Sequence, residues 1–251
     1  VRDIVVKELN GYSGNKVELV QRGSLYLVKK EGDVVANYKR LVELSDHGFN
    51  VPKVKLVSDS VLEMEYIHGI GIKDLLKMYD VDMLYSFIEE YFNKCLSTTI
   101  KGDFTKPIHD KIDSFNFYHL LPFTSEQIKN KIPTEYPKTL YHGDFTLENI
   151  LYSKGKFYLI DGLESQFKSC IFDLAKLRQD IDCHWFLRNE KTVALYSNLD
   201  TLSKKIYSKF GNYYNEYLLI FMLMRVMAYA IRKEDKDSIQ FLTSKINTLW
   251  R

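Results

Sequence analysis

The chain has 251 residues, 45% hydrophobic and 27% charged, which fits a globular protein with one sizeable core or two modest lobes and excludes a disordered chain. Its formal net charge of +2, with Lys and Arg spread along the sequence, provides no field for a polyanion and argues against nucleic acid as a partner. Cys95, Cys170 and Cys183 are odd in number and form no CxxC pair, so they suit neither a disulfide framework nor a zinc cluster and fit a reducing cytoplasm.

The chain opens Val1-Arg2-Asp3 without a basic-then-apolar leader and without an initiator Met. The expectation is no signal peptide, with residues removed or not included ahead of Val1. From residue 4 to 30, short apolar runs such as Val17-Glu18-Leu19-Val20 and Leu25-Tyr26-Leu27-Val28 are separated by turns bearing Gly11, Gly14 and Gly23, the pattern of antiparallel strands joined by hairpins. Val34, Tyr38, Leu41, Val42 and Leu44 form a helical stripe that Gly48 and Pro52 stop. Val51 to Leu56 and Ser60 to Tyr66 return to strand character.

After His68-Gly69, apolar residues recur at helical spacing over Ile72 to Tyr79 and Val81 to Thr98, while Pro107, Pro122, Pro133 and Pro137 limit the middle of the chain to short helices. Ile150-Leu151-Tyr152 and Phe157-Tyr158-Leu159-Ile160 read as two strands around a Ser153-Lys154-Gly155-Lys156 turn, and most of the chain beyond Ile171 is helical. The longest apolar stretch, Tyr217 to Ala230, is interrupted by Arg225 and falls short of the about 20 residues a bilayer span needs, so no membrane span is expected. Arg225 should be paired there, with Asp173 or Asp182 as candidates, a structural ion pair ranking ahead of an anion-binding role. The predicted class is α+β with two lobes: a sheet-rich N-terminal lobe, residues 1–67, and a helical C-terminal lobe, residues 68–251, with the boundary near 66 to 70.

The chemistry concentrates in His142-Gly143-Asp144-Phe145-Thr146-Leu147-Glu148-Asn149 and in the apolar run that ends at Asp161. Phosphoryl transfer is mostly placement of a nucleophile and neutralisation of phosphate charge, so it requires a base, a metal and a cationic or amide cradle. Asp144 can accept the proton of an attacking hydroxyl, and Asn149 and Asp161 are hard oxygen donors suited to Mg2+ on the phosphates of ATP. Asp and Asn more often cap turns. Two strands and a second Asp following in the expected order set the chemical reading ahead.

His142-Gly143-Asp144 with Asn149, then Leu159-Ile160-Asp161, then Phe172-Asp173-Leu174-Ala175-Lys176-Leu177 resembles the aminoglycoside phosphotransferase and choline kinase group of the protein-kinase-like superfamily. The match is most specific in residues 140 to 178. The resemblance implies a bilobal kinase-like fold, Asp144 as catalytic base, His142 as an orienting residue, Asn149 and Asp161 as magnesium ligands, and Asp173 as a brace for the catalytic loop.

It also implies nucleotide contacts in the small lobe. Gly11-Tyr12-Ser13-Gly14-Asn15 would bring Gly11, Ser13 and Gly14 to the phosphates, because small residues let backbone N–H groups approach an anion. Leu25-Tyr26-Leu27-Val28-Lys29-Lys30 resembles the strand whose lysine holds the α and β phosphates. Strand alternation allows only one of the two lysines to face the site; Lys29 is preferred and Lys30 is the alternative. Leu62 to Gly69 resembles the inter-lobe hinge, with Glu65 offering its carbonyl and Ile67 its N–H to adenine. The chain departs from the family at Asn37, where a Glu would normally hold the strand lysine; either a weaker polar contact replaces the pair, or Glu31 or Glu43 substitutes.

The expected activity is ATP- and Mg2+-dependent phosphorylation of a hydroxyl on a small soluble metabolite. Asp173-Leu174-Ala175-Lys176-Leu177 also looks like kinase-like proteins that accompany bacterial surface-polysaccharide synthesis, which places a sugar or sugar-derived acceptor ahead of choline or another amino alcohol. An aminoglycoside ranks lower because the segments after Asp161 are mixed in charge. The competing class is a pseudokinase scaffold, favoured by Asn37. A protein kinase is disfavoured because Gly162-Leu163 follows Asp161 with no Asp-Phe-Gly to Ala-Pro-Glu segment. Cys183-His184-Trp185 reads as packing.

Overall fold

The computed structural model describes residues 3–9, 16–190 and 192–251. In chain order its elements are β1 (Ile4–Leu9), β2 (Lys16–Arg22), β3 (Leu25–Glu31), α1 (Val35–Asp46), β4 (Val54–Ser58), β5 (Val61–Glu65), β6 (Ile70–Gly71), α2 (Ile72–Met78), α3 (Asp82–Leu96), β7 (Ile100–Asp103), α4 (Thr105–Asp113) and α5 (Ser125–Lys131). They continue with β8 (Glu135–Lys138), β9 (Ile150–Ser153), β10 (Lys156–Leu159), α6 (Cys170–Ile181), α7 (Val193–Phe210), α8 (Glu216–Arg232) and α9 (Lys236–Leu249). The chain divides into two compact units, Val1–Leu75 with Glu148–Ser165 and Leu76–Leu147 with Gln166–Arg251.

The first unit is built on an antiparallel sheet of order β1-β2-β3-β5-β4. Side chains alternate across it. Val28, Leu62 and Met64 therefore share one face, and Val34, just ahead of α1, packs against them with Tyr38 and Leu41 of α1 to make a small core. Lys30 is registered against Val17 on β2 and Leu62 on β5, which places it on the helix-covered face, whereas Lys29 is registered against Glu18 and Glu63.

The hairpin of β9 and β10 belongs to this unit, so the division at 1–67 and 68–251 does not describe the structure: the chain leaves the unit and returns to it. Backbone pairing causes the return. β9 pairs with β6 through Ile70 to Tyr152 and Gly71 to Leu151, and Leu159 N–H donates to the Asn50 carbonyl at 2.9 Å. Gly69 is required at this junction, because a Cβ there would lie 2.7 Å from the Tyr152 carbonyl oxygen.

The second unit is helical, as the apolar periodicity predicts. α8 buries Leu218 to Met224 almost completely and packs on α6, itself buried on nearly every side. Both helices are capped by side chains: Ser169 Oγ accepts from Ile171 N–H, and Asn215 Oδ1 accepts from Leu218 N–H at 2.9 Å. The Pro-punctuated middle holds short helices and also a strand pair that composition did not reveal, β7 with β8, in which Pro137 stands opposite Lys101. Among the described residues no helix is long and apolar enough to cross a membrane.

Candidate active site

The segment from His142 to Asp144 is fixed by one carboxylate. Asp173, in the first turn of α6 and 1% exposed, accepts the His142 N–H at 2.6 Å, the Gly143 N–H at 2.9 Å and the Tyr91 hydroxyl at 2.7 Å. Burial raises the Asp173 carboxyl above its ordinary range, with His142 and the backbone N–H groups pulling in the opposite direction. Gly143 sits at φ 88°, a backbone state that glycine adopts cheaply and that turns the chain into Asp144. Phe145 stacks on Tyr91 at 4.1 Å between centroids, and the Leu147 N–H donates to Asp180 at 2.8 Å. Asp173 therefore takes the bracing position that the resemblance implies.

Asp144 itself stays accessible, its side chain 28% exposed and 2.9 Å from the Lys176 ammonium. Burial alone would raise its carboxyl; Lys176 outweighs that, with smaller contributions from His142 and Arg225, and holds it below the usual carboxylate range. His142 is fully buried and its Nδ1 accepts the Asp144 N–H at 3.3 Å, an orienting contact to the backbone of the candidate base. Lys176 was not among the residues singled out from sequence. The signal was present: it lies three residues after Asp173 on one helix, and residues at that spacing share a face.

The other cluster lies in the first unit. Asp161 has a left-handed backbone, φ 59°, and pairs with Lys30 Nζ at 2.6 Å. The Lys30 side chain is 3% exposed and that of Asp161 46%. Lys29 instead pairs with Glu31 at 2.7 Å. The geometry thus places Lys30 rather than Lys29 beside Asp161, reversing the preference drawn from residue order, because Lys30 shares its face with Val28 and the α1 core. Glu31 and Glu43 do not substitute for the missing helix carboxylate, since Glu31 is held by Lys29 and Glu43 is engaged by Arg40 at 2.7 Å. Asn37 donates its side-chain amide to the Gly162 carbonyl, and its own Oδ1, buried, has no partner among the described residues.

Asn149 is brought to Asp161 by the backbone, its carbonyl accepting the Ile160 N–H at 3.0 Å. Among the described residues no cluster of three or more His, Cys, Asp or Glu could hold a metal by itself. A half-exposed Asp161 carboxylate and an Asn on the paired backbone are donor types that suit magnesium, which commonly takes one or two protein oxygens and completes its shell with phosphates and water.

Gly11, Ser13 and Gly14 lie outside the described residues. Glu65 ends β5 with its N–H on the Lys53 carbonyl at 2.8 Å, and the Ile67 carbonyl accepts from Gly69 N–H at 2.9 Å, so both lie where the chain leaves the sheet. His184 pairs with Asp200 at 2.8 Å, and burial pushes the Cys183 thiol up to about 12, as suits a packing role. Neither proposed partner meets Arg225: Asp182 bonds to Arg178 at 2.8 Å and Ser203 at 2.7 Å, and Asp173 is occupied by the loop.

No family model matches the sequence, and no curated protein matches it significantly. Solved structures do resemble the fold. A thermostable mutant of the aminoglycoside phosphotransferase APH(4)-Ia in its apo form superposes with a TM-score of 0.71 at 10% identity, covering 98% of this chain and 94% of that one. A glucosamine kinase gives 0.61 at 10% identity over 100% and 95% of the two chains. Amicoumacin kinase hAmiN, solved with AMP-PNP, Ca2+ and Ami, gives 0.62 at 13% identity over 96% and 87%. The chain therefore has the α+β, kinase-like fold of the small-molecule phosphotransferases.

Proposed function

We propose that this chain is a small-molecule kinase that moves the γ-phosphoryl group of ATP to a hydroxyl of a soluble metabolite, a sugar or sugar derivative ahead of an amino alcohol. The observation that carries the reading is Asp144, a carboxylate kept ionised by Lys176, partly open to solvent, on a loop pinned by Asp173. Likeness to solved glucosamine and amicoumacin kinases supports it. In the reaction the acceptor oxygen bonds to the γ-phosphorus as the bond to the ADP oxygen breaks, and the acceptor proton passes late to Asp144. Lys30 supplies an ammonium to the phosphates, and Asn149 and Asp161 would hold the metal. Magnesium bound there would neutralise charge on the phosphates.

Asp144→Asn tests the assignment, because it removes the proton acceptor while keeping shape and hydrogen bonding. Transfer of labelled phosphate from ATP across a panel of sugars, amino alcohols and aminoglycosides is expected to fall by a factor of about 100 or more, with nucleotide binding retained. Transfer at the unmodified rate would exclude Asp144 as base. A nucleotide-binding scaffold is the second reading, favoured by Asn37 and by the Lys30–Asp161 pair it leaves closed; absence of transfer to any acceptor alongside tight ATP binding would establish that one.

A further inference from the structure

Arg225 differs from Arg22, Arg40 and Arg178, each of which holds two carboxylates. Arg22 holds Asp3 at 2.7 Å and Glu63 at 2.5 Å, Arg40 holds Glu43 at 2.7 Å and Glu164 at 2.6 Å, and Arg178 holds Asp182 at 2.8 Å and Glu216 at 2.9 Å. Arg225 is half-buried in the most apolar helix of the chain, and among the described residues no carboxylate forms an ion pair with it. Its guanidinium lies over the Phe167 ring, 5.1 Å from the centroid, and one nitrogen donates to Met222 Sδ at 3.4 Å, a weak acceptor. Phe167 is itself wedged between Phe172 and Phe221. The guanidinium therefore rests against the ring with most of its donors unused.

An uncompensated charge in such surroundings is costly and is retained where it serves a ligand. Arg225 and Asp144 act on each other electrostatically, as Asp173 does on Arg225, yet Asp144 is already paired with Lys176 and Asp173 with the loop. The groups assigned to the nucleotide, Lys30, Asn149 and Asp161, all belong to the other unit. A cationic acceptor approaching Asp144 would meet two positive groups, Lys176 and Arg225. An anionic one would meet a planar, preorganised fork suited to two oxygens at once.

Resting on the kinase reading, we propose that Arg225 is a specificity-determining residue that receives an anionic group of the acceptor, and that the substrate is a hydroxyl-bearing carboxylate or phosphate monoester. The two anion types share their chemistry, and product analysis separates them.

The test uses the full chain with γ-labelled ATP and a total metabolite extract, followed by mass spectrometry of the labelled product and kinetics on the acceptor it identifies. The expected acceptor carries a carboxylate or phosphate before transfer. Arg225→Met then raises its KM about tenfold or more, the loss of a charge-assisted hydrogen bond, with a smaller change in kcat, and Arg225→Lys recovers part of the affinity. Because Met replaces an unpaired charge, its Tm should equal or exceed that of the parent chain. A neutral or cationic acceptor overturns the proposal and leaves the kinase reading standing. So does a fall in kcat alone for Arg225→Met, which would assign Arg225 to the transferring phosphoryl group, or a fall in Tm at unchanged KM, which would assign it to the core. No labelled product removes both readings.

Discussion

Lys30 and Asp161 form an unequal pair, and the inequality sets what each substitution should cost. The Lys30 side chain is 3% exposed and cannot hydrate if its partner is lost, whereas that of Asp161 is 46% exposed and can. Asp161→Asn preserves volume, and Asn tolerates the left-handed backbone at φ 59° as well as Asp does, so it removes charge and little else. Breaking a fully buried pair costs about 3–5 kcal/mol and an exposed one at most about 1 kcal/mol; a sealed lysine against a half-open carboxylate should cost about 2 kcal/mol. At this chain length that lowers Tm by about 4–8 °C. Lys30→Met should be close to neutral, and the double variant close to Lys30→Met alone. Thermal unfolding followed by circular dichroism on the three variants is sufficient. Equal losses for Asp161→Asn and Lys30→Met, or an additive double variant, would refute the reasoning that burial of the lysine governs the pair.

Lys176→Met should move the acidic limb of the pH–rate profile upward, since burial of Asp144 is then opposed only by the smaller pulls of His142 and Arg225. In the parent chain the depressed carboxyl contributes stability above its unfolded pKa that is lost as pH falls through the folded value, so Lys176→Met should also flatten the stability profile below about pH 4. An unmoved limb would mean that Lys176 does not set the state of the base. Asp173→Asn turns one acceptor oxygen into a donor facing N–H groups; a loss of about 2–4 kcal/mol is expected, with kcat falling through Asp144 and ATP affinity kept, and unchanged kcat would remove the bracing role.

The proposed catalytic segment stands out in the sequence because the chemistry proposed for it depends on residue type and order. Asp144 and Asn149 lie five residues apart, and only a short hairpin whose strands and turn can be read from composition separates Asn149 from Asp161. The lysine was harder. Alternation shows that Lys29 and Lys30 face opposite ways, but which way depends on where α1 packs, and only the shared face of Val28, Leu62 and Lys30 decides it. The spacing of Lys176 from Asp173 shows a shared helix face, but which groups Lys176 and Arg225 meet depends on contacts between segments far apart in sequence. The β7–β8 pair was hidden for a related reason: Pro137 argues against a strand locally, and the partner that tolerates it is 36 positions away, at Lys101.

The interleaving of the two units also governs how the chain can assemble. Lys30 and its counter-ion Asp161 are separated by 131 residues, so at ribosomal rates of about 5–20 residues per second the sheet waits roughly ten seconds for its partner. During that interval β6 has no β9 to pair with, and an ammonium destined for burial has no carboxylate. The first half of the helical unit, Leu76–Leu147, emerges while the first unit is still incomplete. Closing that long loop is a late, entropically expensive step, and the segment that closes it carries both proposed metal ligands, so the site and the finished fold arrive together.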